Sequence, residues 1–192
     1  MTRAERADRN RRRVLAAARE VFLARGYHAA TVEQIADAAG FSTGVVYSQF
    51  DGKADLFLAL LEARIEERIH DQATFVERLE DAEVVGQLIE HARRVTQAEP
   101  EWGLLVLEFR VHAARHPDLN ARYAEAHART VAGLAKTLTA AYARSRSVHG
   151  LAPEDLAEVI IAVASGSQLE VAAGRDALAG PLLHDVMKRI VT

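Results

Sequence analysis

An all-α fold is what this sequence predicts: nine helices in two domains, a three-helix domain over residues 8–53 and a larger helical domain over 54–192. Three observations lead there. The chain is 49% apolar with only 6% aromatic residues, and Ala, Leu, Glu and Arg dominate, which favours helices over strands. Apolar residues recur at i, i+3, i+4 and i+7 along the chain. Pro100, Pro117, Pro153 and Pro181 fall at the boundaries between the periodic segments. The length suffices for a substantial core. Without Cys there are no disulfides, thiolate metal sites or Cys nucleophiles.

The first helix spans about Asp8 to Gly26, with Val14, Ala18, Val21 and Phe22 as its buried stripe. Thr31 can cap the second, and Gln34, three residues on, can reach back to the cap N–H. Val32, Ile35, Ala36 and Ala39 then form one buried face, and Gly40 can take the left-handed conformation that ends a helix. Phe41 is placed to plug the turn, and Ser42 is a good cap for a third helix over Thr43 to Phe50. On a wheel of about 100° per residue, Val46 and Phe50 face the core and Gly44, Val45 and Ser48 point away. Thr43, Tyr47 and Gln49 lie on the flanks. A helix this short, with a Gly and two Val, needs a scaffold to hold it, which suits a face kept for a partner.

Two short helices joined by a tight turn form a helix-turn-helix, a motif that sets its second helix in the DNA major groove. The exposed residues have matching chemistry. Gly44 lets the backbone approach a base edge or phosphate, and Val45 suits a thymine methyl. Thr43, Ser48 and Gln49 can hydrogen-bond base edges or phosphates, and Gln is a natural adenine reader. Thr31 can present helix N-terminal N–H groups to a phosphate, and Ser42 stands at the corresponding end of the third helix.

This stretch resembles the DNA-binding motif of the tetracycline-repressor (TetR) family of bacterial transcription regulators. The resemblance is carried by Phe22 with Gly26 and Tyr27, by Thr31 with Ile35 and Ala36, and by the turn from Ala39 to Ser42. Gly44, Tyr47, Phe50 and Lys53, leading into Leu56 and Phe57, complete it. It implies that Tyr47 and Lys53 contact phosphates, which positions the protein without reading sequence. It also implies a homodimer, formed by pairing the last two helices, about 153–173 and 181–191, with their copies. Such a dimer binds a palindromic DNA operator, most simply as a repressor released by a small-molecule effector, with no cofactor. One feature departs from the family: the recognition helix holds no Arg or Lys, although many relatives carry one near Thr43. Guanine readout by a bidentate Arg would have to come from the N-terminal arm.

The net charge of −3 does not by itself suggest DNA binding, but its distribution is uneven. Residues 1–64 hold ten Lys or Arg against eight Asp or Glu, and the remainder fourteen against nineteen. Arg3, Arg6, Arg9, Arg11, Arg12 and Arg13 crowd the start, either as an arm that adds salt-sensitive phosphate contacts or as a solvated terminus. The charged N-terminus is no signal peptide and no apolar run spans a membrane, so the expected location is cytoplasmic.

A long helix from Lys53 or Ala54 to Leu79 is expected to act as a lever out of the first domain. Helices follow over about Ala82–Ala98, Glu101–Arg115, Asp118–Arg146, Pro153–Ala173 and Pro181–Val191. Phe75, Trp102, Leu105, Phe109, Tyr123 and His127 are candidates to line a pocket for an apolar or amphipathic ligand, or are simply core. Glu108 and Arg110 interrupt a buried helix as polar anchors, dimer contacts or an exposed edge.

No P-loop, dinucleotide fingerprint or nucleophile elbow is present, and no catalytic residue is assigned. His112 and His116 have an i, i+4 spacing that can hold a metal, but they lack the Glu of a zinc protease motif and sit where His suits a helix C-terminus. No metal site is expected. The alternatives are a helical small-molecule-binding protein whose helix-turn-helix serves protein contacts, and a helical-bundle enzyme.

Overall fold

Reciprocal capping starts the chain. Thr2 Oγ1 accepts the Glu5 N–H at 3.2 Å and Glu5 Oε2 accepts the Thr2 N–H at 2.7 Å, so α1 spans Arg3–Ala29. The expected start near Asp8 is therefore too late, and the basic arm is helical rather than frayed. A Thr-x-x-Glu box supplies partners for two otherwise free N–H donors. Gly26 breaks α1 with φ 74° and one further turn follows it. The computed structural model describes residues 2–79, 84–145 and 150–174.

α2 (Val32–Ala39) has the expected capping box between Thr31 and Gln34, with Val32, Ile35, Ala36 and Ala39 all buried. Gly40 ends it at φ 70°, ψ 36°. α3 covers Thr43–Tyr47, α4 Lys53–Glu77, α5 Val84–Ala98, α6 Pro100–Ala113, α7 Pro117–Arg144 and α8 Pro153–Ala172. Pro100 and Pro117 open helices rather than only ending the preceding ones, because a first turn has no use for the missing N–H. Among the described residues there are eight helices, not nine, and no strand. The helix expected over Pro181–Val191 lies outside the described residues. No helix among the described residues is long and apolar enough to cross a membrane.

The chain forms two compact units. One comprises residues 1–64 and 105–126, the other 65–104 and 127–192. The first is centred on rings. Phe57 stacks on Phe109 at 4.2 Å, Tyr27 meets Phe109 edge-on at 4.9 Å, and Phe22 meets Phe57 edge-on at 5.5 Å. Val14, Ala18, Ile35, Val46 and Leu56, all fully buried, complete this core. Such pairs add about 0.5–1.5 kcal/mol each beyond the area they bury. The second unit packs Val76, Val84, Val85, Leu88, Leu134, Leu138 and Leu156 together, drawn from α4, α5, α7 and α8.

Candidate nucleic-acid interface

The junction of α2 and α3 is closed by its own backbone. Phe41 N–H reaches Ala36 O at 2.9 Å and Gly40 N–H reaches Asp37 O at 3.0 Å. This pair of bonds is a Schellman motif, which satisfies the last carbonyls of α2 and requires the left-handed Gly40. Ser42 stands at the N-cap of α3 with extended backbone but makes no side-chain capping bond. Its expected capping role is thus filled by the backbone alone, with Val45 N–H bonded to Ser42 O at 3.0 Å.

α3 is shorter than the expected Thr43–Phe50. Val45 O accepts both Ser48 Oγ at 2.8 Å and Gln49 Nε2 at 3.2 Å, so side chains compete for a carbonyl that would extend the helix. Ser48 caps the helix C-terminus and Gln49 follows in the turn. Val46 and Phe50 are buried, as the wheel predicts. Gly44 and Ser48 are exposed, and Tyr47 is 52% exposed despite its size. Thr43, Val45 and Gln49 are half-buried, so Val45 is less open than expected. A Cβ at Gly44 would meet only Ser42 Oγ at 3.8 Å, an ordinary contact. Nothing in the chain itself demands glycine there.

Two arginines of α1 reach the ends of the motif. Arg13 Nη2 donates to Ala39 O at 3.0 Å and its guanidinium lies 4.7 Å from the Phe41 ring centre. Arg11 Nη1 donates to Gln49 O at 3.3 Å and lies 4.4 Å from the Phe50 ring centre. Arg12 instead pairs with Asp8 at 2.9 Å in solvent, a pair worth at most about 0.5 kcal/mol.

Lys53 opens α4 and is already engaged. Its Nζ donates to His28 O and to Ala30 O, each at 3.0 Å, and sits 4.7 Å from the Tyr27 ring centre. Burial pushes its pKa down, while the Glu108 carboxylate acts in the opposite direction. An ammonium has three N–H donors, so one remains for a phosphate. Glu108 itself accepts the Tyr27 N–H at 2.9 Å and the His28 N–H at 3.0 Å. The bend after Gly26 is therefore held from both sides, by a carboxylate on its donors and an ammonium on its acceptors. The bend requires glycine because Gly26 sits at φ 74°, and a Cβ there would also press within 2.9 Å of Glu108 Oε2.

His112 is 5.3 Å from His28 and 4.4 Å from His116, ring centre to ring centre. Its pKa is lowered by burial first, then by His116, His28, Lys53 and Arg115. α6 ends at Ala113, so the two histidines do not share a helix, and His116 Nδ1 lies 2.8 Å from His112 O. Among the described residues no group of His, Cys, Asp or Glu is arranged to hold a metal ion.

The six proposed ligand contacts are not all alike. Leu105, Phe109 and Tyr123 are buried in the first unit, where Phe109 joins the ring cluster and Tyr123 lies 6.0 Å from it. Phe75, Trp102 and His127 belong to the second unit, each half-buried. Phe75 stacks on His91 at 4.0 Å, and His91 has its pKa lowered by burial, then by Arg94 and Arg68.

The partners of four side chains lie beyond sequence reasoning: the sequence shows Arg11 and Arg13 only as part of a basic start, leaves three roles open to Glu108, and does not reveal the Arg122–Asp55 pair at 2.5 Å. Their partners are 26 to 81 residues away, beyond any local pattern. The Thr2–Glu5 box, by contrast, was readable.

A capped helix pair on a ring-packed scaffold, presenting a short helix with a small uncharged face, defines a helix-turn-helix DNA-binding protein. Residues 14–60 match the family model described as bacterial regulatory proteins, tetR family, and residues 81–192 match the C-terminal model of BetI-type transcriptional repressors. The chain belongs to the TetR family of transcriptional regulators. It is 48% identical over 59 residues to the HTH-type transcriptional activator FasR of Mycolicibacterium smegmatis, a match covering 31% of this chain and 27% of the relative. It is 28% identical over 121 residues to the HTH-type transcriptional regulator UidR of Escherichia coli K12, covering 63% and 60%. The matched stretches thus span between about a quarter and three fifths of these relatives' length. Among solved structures, the fold resembles a TetR-family regulator from a Rhodococcus species with TM-score 0.75, 21% identity, and coverage of 95% of this chain and 98% of that one. It also resembles Bacillus subtilis FadR in complex with stearoyl-CoA, with TM-score 0.72, 21% identity, and coverage of 94% and 97%.

Proposed function

We propose that the chain is a ligand-released repressor that binds a palindromic operator as a homodimer. The observation that carries this reading is the open face of α3: exposed Gly44, Tyr47 and Ser48 on a helix too short to stand alone but held by the Gly40 turn before it and by buried Val46 and Phe50. The match of residues 81–192 to a repressor model favours repression over activation. Tyr47 and the remaining donor of Lys53 bind phosphates, as do the N–H groups behind Thr31 and Ser42. Thr43, Gly44, Val45, Ser48 and Gln49 meet the bases, Gln49 and Ser48 by giving up their bonds to Val45 O. The domains work as 8–53 for DNA and 54–192 for the effector and the dimer.

Dimerisation is assigned to α8 and residues 181–191. It sets two recognition helices one groove repeat apart, about 34–36 Å. The effector is apolar or amphipathic and bound by residues of the second unit, with Phe75, Trp102 and His127 as contacts; Phe109 and Tyr123 pack among the rings of the first unit, where Leu105 is also buried. A long-chain acyl thioester such as that in the FadR structure is a fitting first probe. α4, which contributes to both compact units, carries the signal. The protein works in the cytoplasm and turns over no substrate.

A footprint on DNA upstream of its own gene tests the reading. Protection of a palindrome, relieved by the effector, is expected; no sequence-specific protection at any salt concentration would sink it. Mass spectrometry of the co-purifying small molecule identifies the effector.

A further inference from the structure

We infer that Arg11 and Arg13 are positioning residues that set the angle of α3, and are not phosphate contacts. The inference deepens the DNA-binding reading and rests on it for its functional consequence. The two side chains make the same construction twice. Each leaves α1, sets its guanidinium over an aromatic ring of the motif, and donates to a carbonyl at a C-terminal end: Arg13 to Ala39 O at the end of α2 with Phe41, Arg11 to Gln49 O just beyond α3 with Phe50. Cations at helix C-termini are favoured by the helix dipole, and a planar guanidinium combines stacking with a directed bond in a way an ammonium does not.

The surroundings are fitted to this. Arg13 packs beside Gly40, its Nη2 3.4 Å from where a Cβ would stand, while the left-handed φ of 70° is what demands glycine there. Phe50 is buried, so the ring under Arg11 is fixed in the core, while Phe41 belongs to the turn itself. α3 is thereby held at both ends from α1: through the turn that precedes it and through the residue pair that follows it. With five residues of its own, α3 has little internal resistance to tilting, so these two holds define the direction in which Gly44 and Tyr47 are presented. The crowded basic start of the chain thus divides by role. All four of Arg6, Arg9, Arg11 and Arg13 are exposed, but Arg11 and Arg13 bond to carbonyls of the motif, which leaves Arg6 and Arg9 as the candidates to meet a phosphate.

The test compares Arg11→Lys, Arg13→Lys and the ring variant Phe41→Leu. Each is measured for binding to specific and non-specific duplexes across a salt series, at a temperature where circular dichroism shows it folded. The lysine variants keep the charge and lose the stack. Positioning predicts that specific affinity falls about fivefold, the size of one exposed cation–π contact with its bond, with non-specific affinity and the salt slope unchanged. Phe41→Leu should reproduce the Arg13→Lys loss, and the double variant should add little to it. Arg11→Ala and Arg13→Ala then separate the roles: a phosphate contact would lower the salt slope by about one, and that result, or an unchanged specific affinity in the lysine variants, overturns the inference. Amide exchange at residues 40–42 decides the hold without DNA. Arg13→Lys should speed it while global stability barely moves, and unchanged exchange refutes the hold. A wild-type protein that binds no DNA specifically would fail the proposed function, with the exchange result still judging the clamp.

Discussion

Gly44→Ala should move stability and DNA affinity in opposite directions. Gly44 is exposed, is not among the positive-φ glycines, and has room for a Cβ whose nearest neighbour would be Ser42 Oγ at 3.8 Å. In the free protein the added methyl therefore strains nothing, and Ala is favoured over Gly in a helix by about 0.5–1 kcal/mol. For a chain of this size that raises Tm by about 1–4 °C. In the proposed complex the same methyl would stand where α3 comes closest to the groove. Overpacking of that kind costs about 1–3 kcal/mol, or roughly 5- to 150-fold in affinity. Thermal unfolding and fluorescence anisotropy on an operator duplex read the two effects separately. Tighter or equal binding would show that this face of α3 does not meet DNA. A lowered Tm would show that the free protein does use the glycine.

Three further substitutions or conditions extend the reasoning. Lys53→Ala should weaken binding to all DNA and lower the salt slope by about one; because His28 O and Ala30 O lose their donor, it should also cost about 1–2 kcal/mol in urea unfolding. Gln49→Ala should change preference at one or two base positions in a selection experiment, with binding to non-specific DNA unaltered. Stability should decline as pH falls below about 6.5. Burial, reinforced by neighbouring cations, holds His112 and His91 below their ordinary value. The unfolded chain therefore takes up protons first, and the stabilisation present above pH 6.5 is lost as the folded pKa values are approached. Denaturant midpoints for wild type and a His91→Gln/His112→Gln variant check this; the variant should show a flatter profile between pH 7.5 and 5.5.

What could be read from the sequence was what the chain decides locally. Thr31, Gln34 and Gly40 act within one turn of their own helix, so the start and end of α2 were legible to the residue. The buried pair Val46 and Phe50 followed from a single wheel. The end of α3 was not, because two side chains beyond it compete for Val45 O and the outcome depends on geometry rather than propensity. Phe109 and Tyr123 show a second limit. An apolar ring on a helix has the same spacing whether it lines a cavity or fills a core, and only its neighbours distinguish the two. Glu108 shows a third: its meaning lies in two N–H groups some eighty residues earlier.

That separation bears on how the protein comes into being. The rings of Tyr27 and Phe57 are sealed by Phe109, and the bend after Gly26 is closed by Glu108, all within one compact unit assembled from residues 1–64 and 105–126. A nascent chain emerges from its N-terminus, and contacts distant in sequence form late. The three N-terminal helices must therefore wait on the ribosome for α6 before their core is complete. Until then they expose aromatic surface worth about 1.5–3 kcal/mol per ring when buried. The part of the molecule made first is completed only once α6 has emerged, past the midpoint of synthesis, and until then α3 lacks part of the scaffold that holds it.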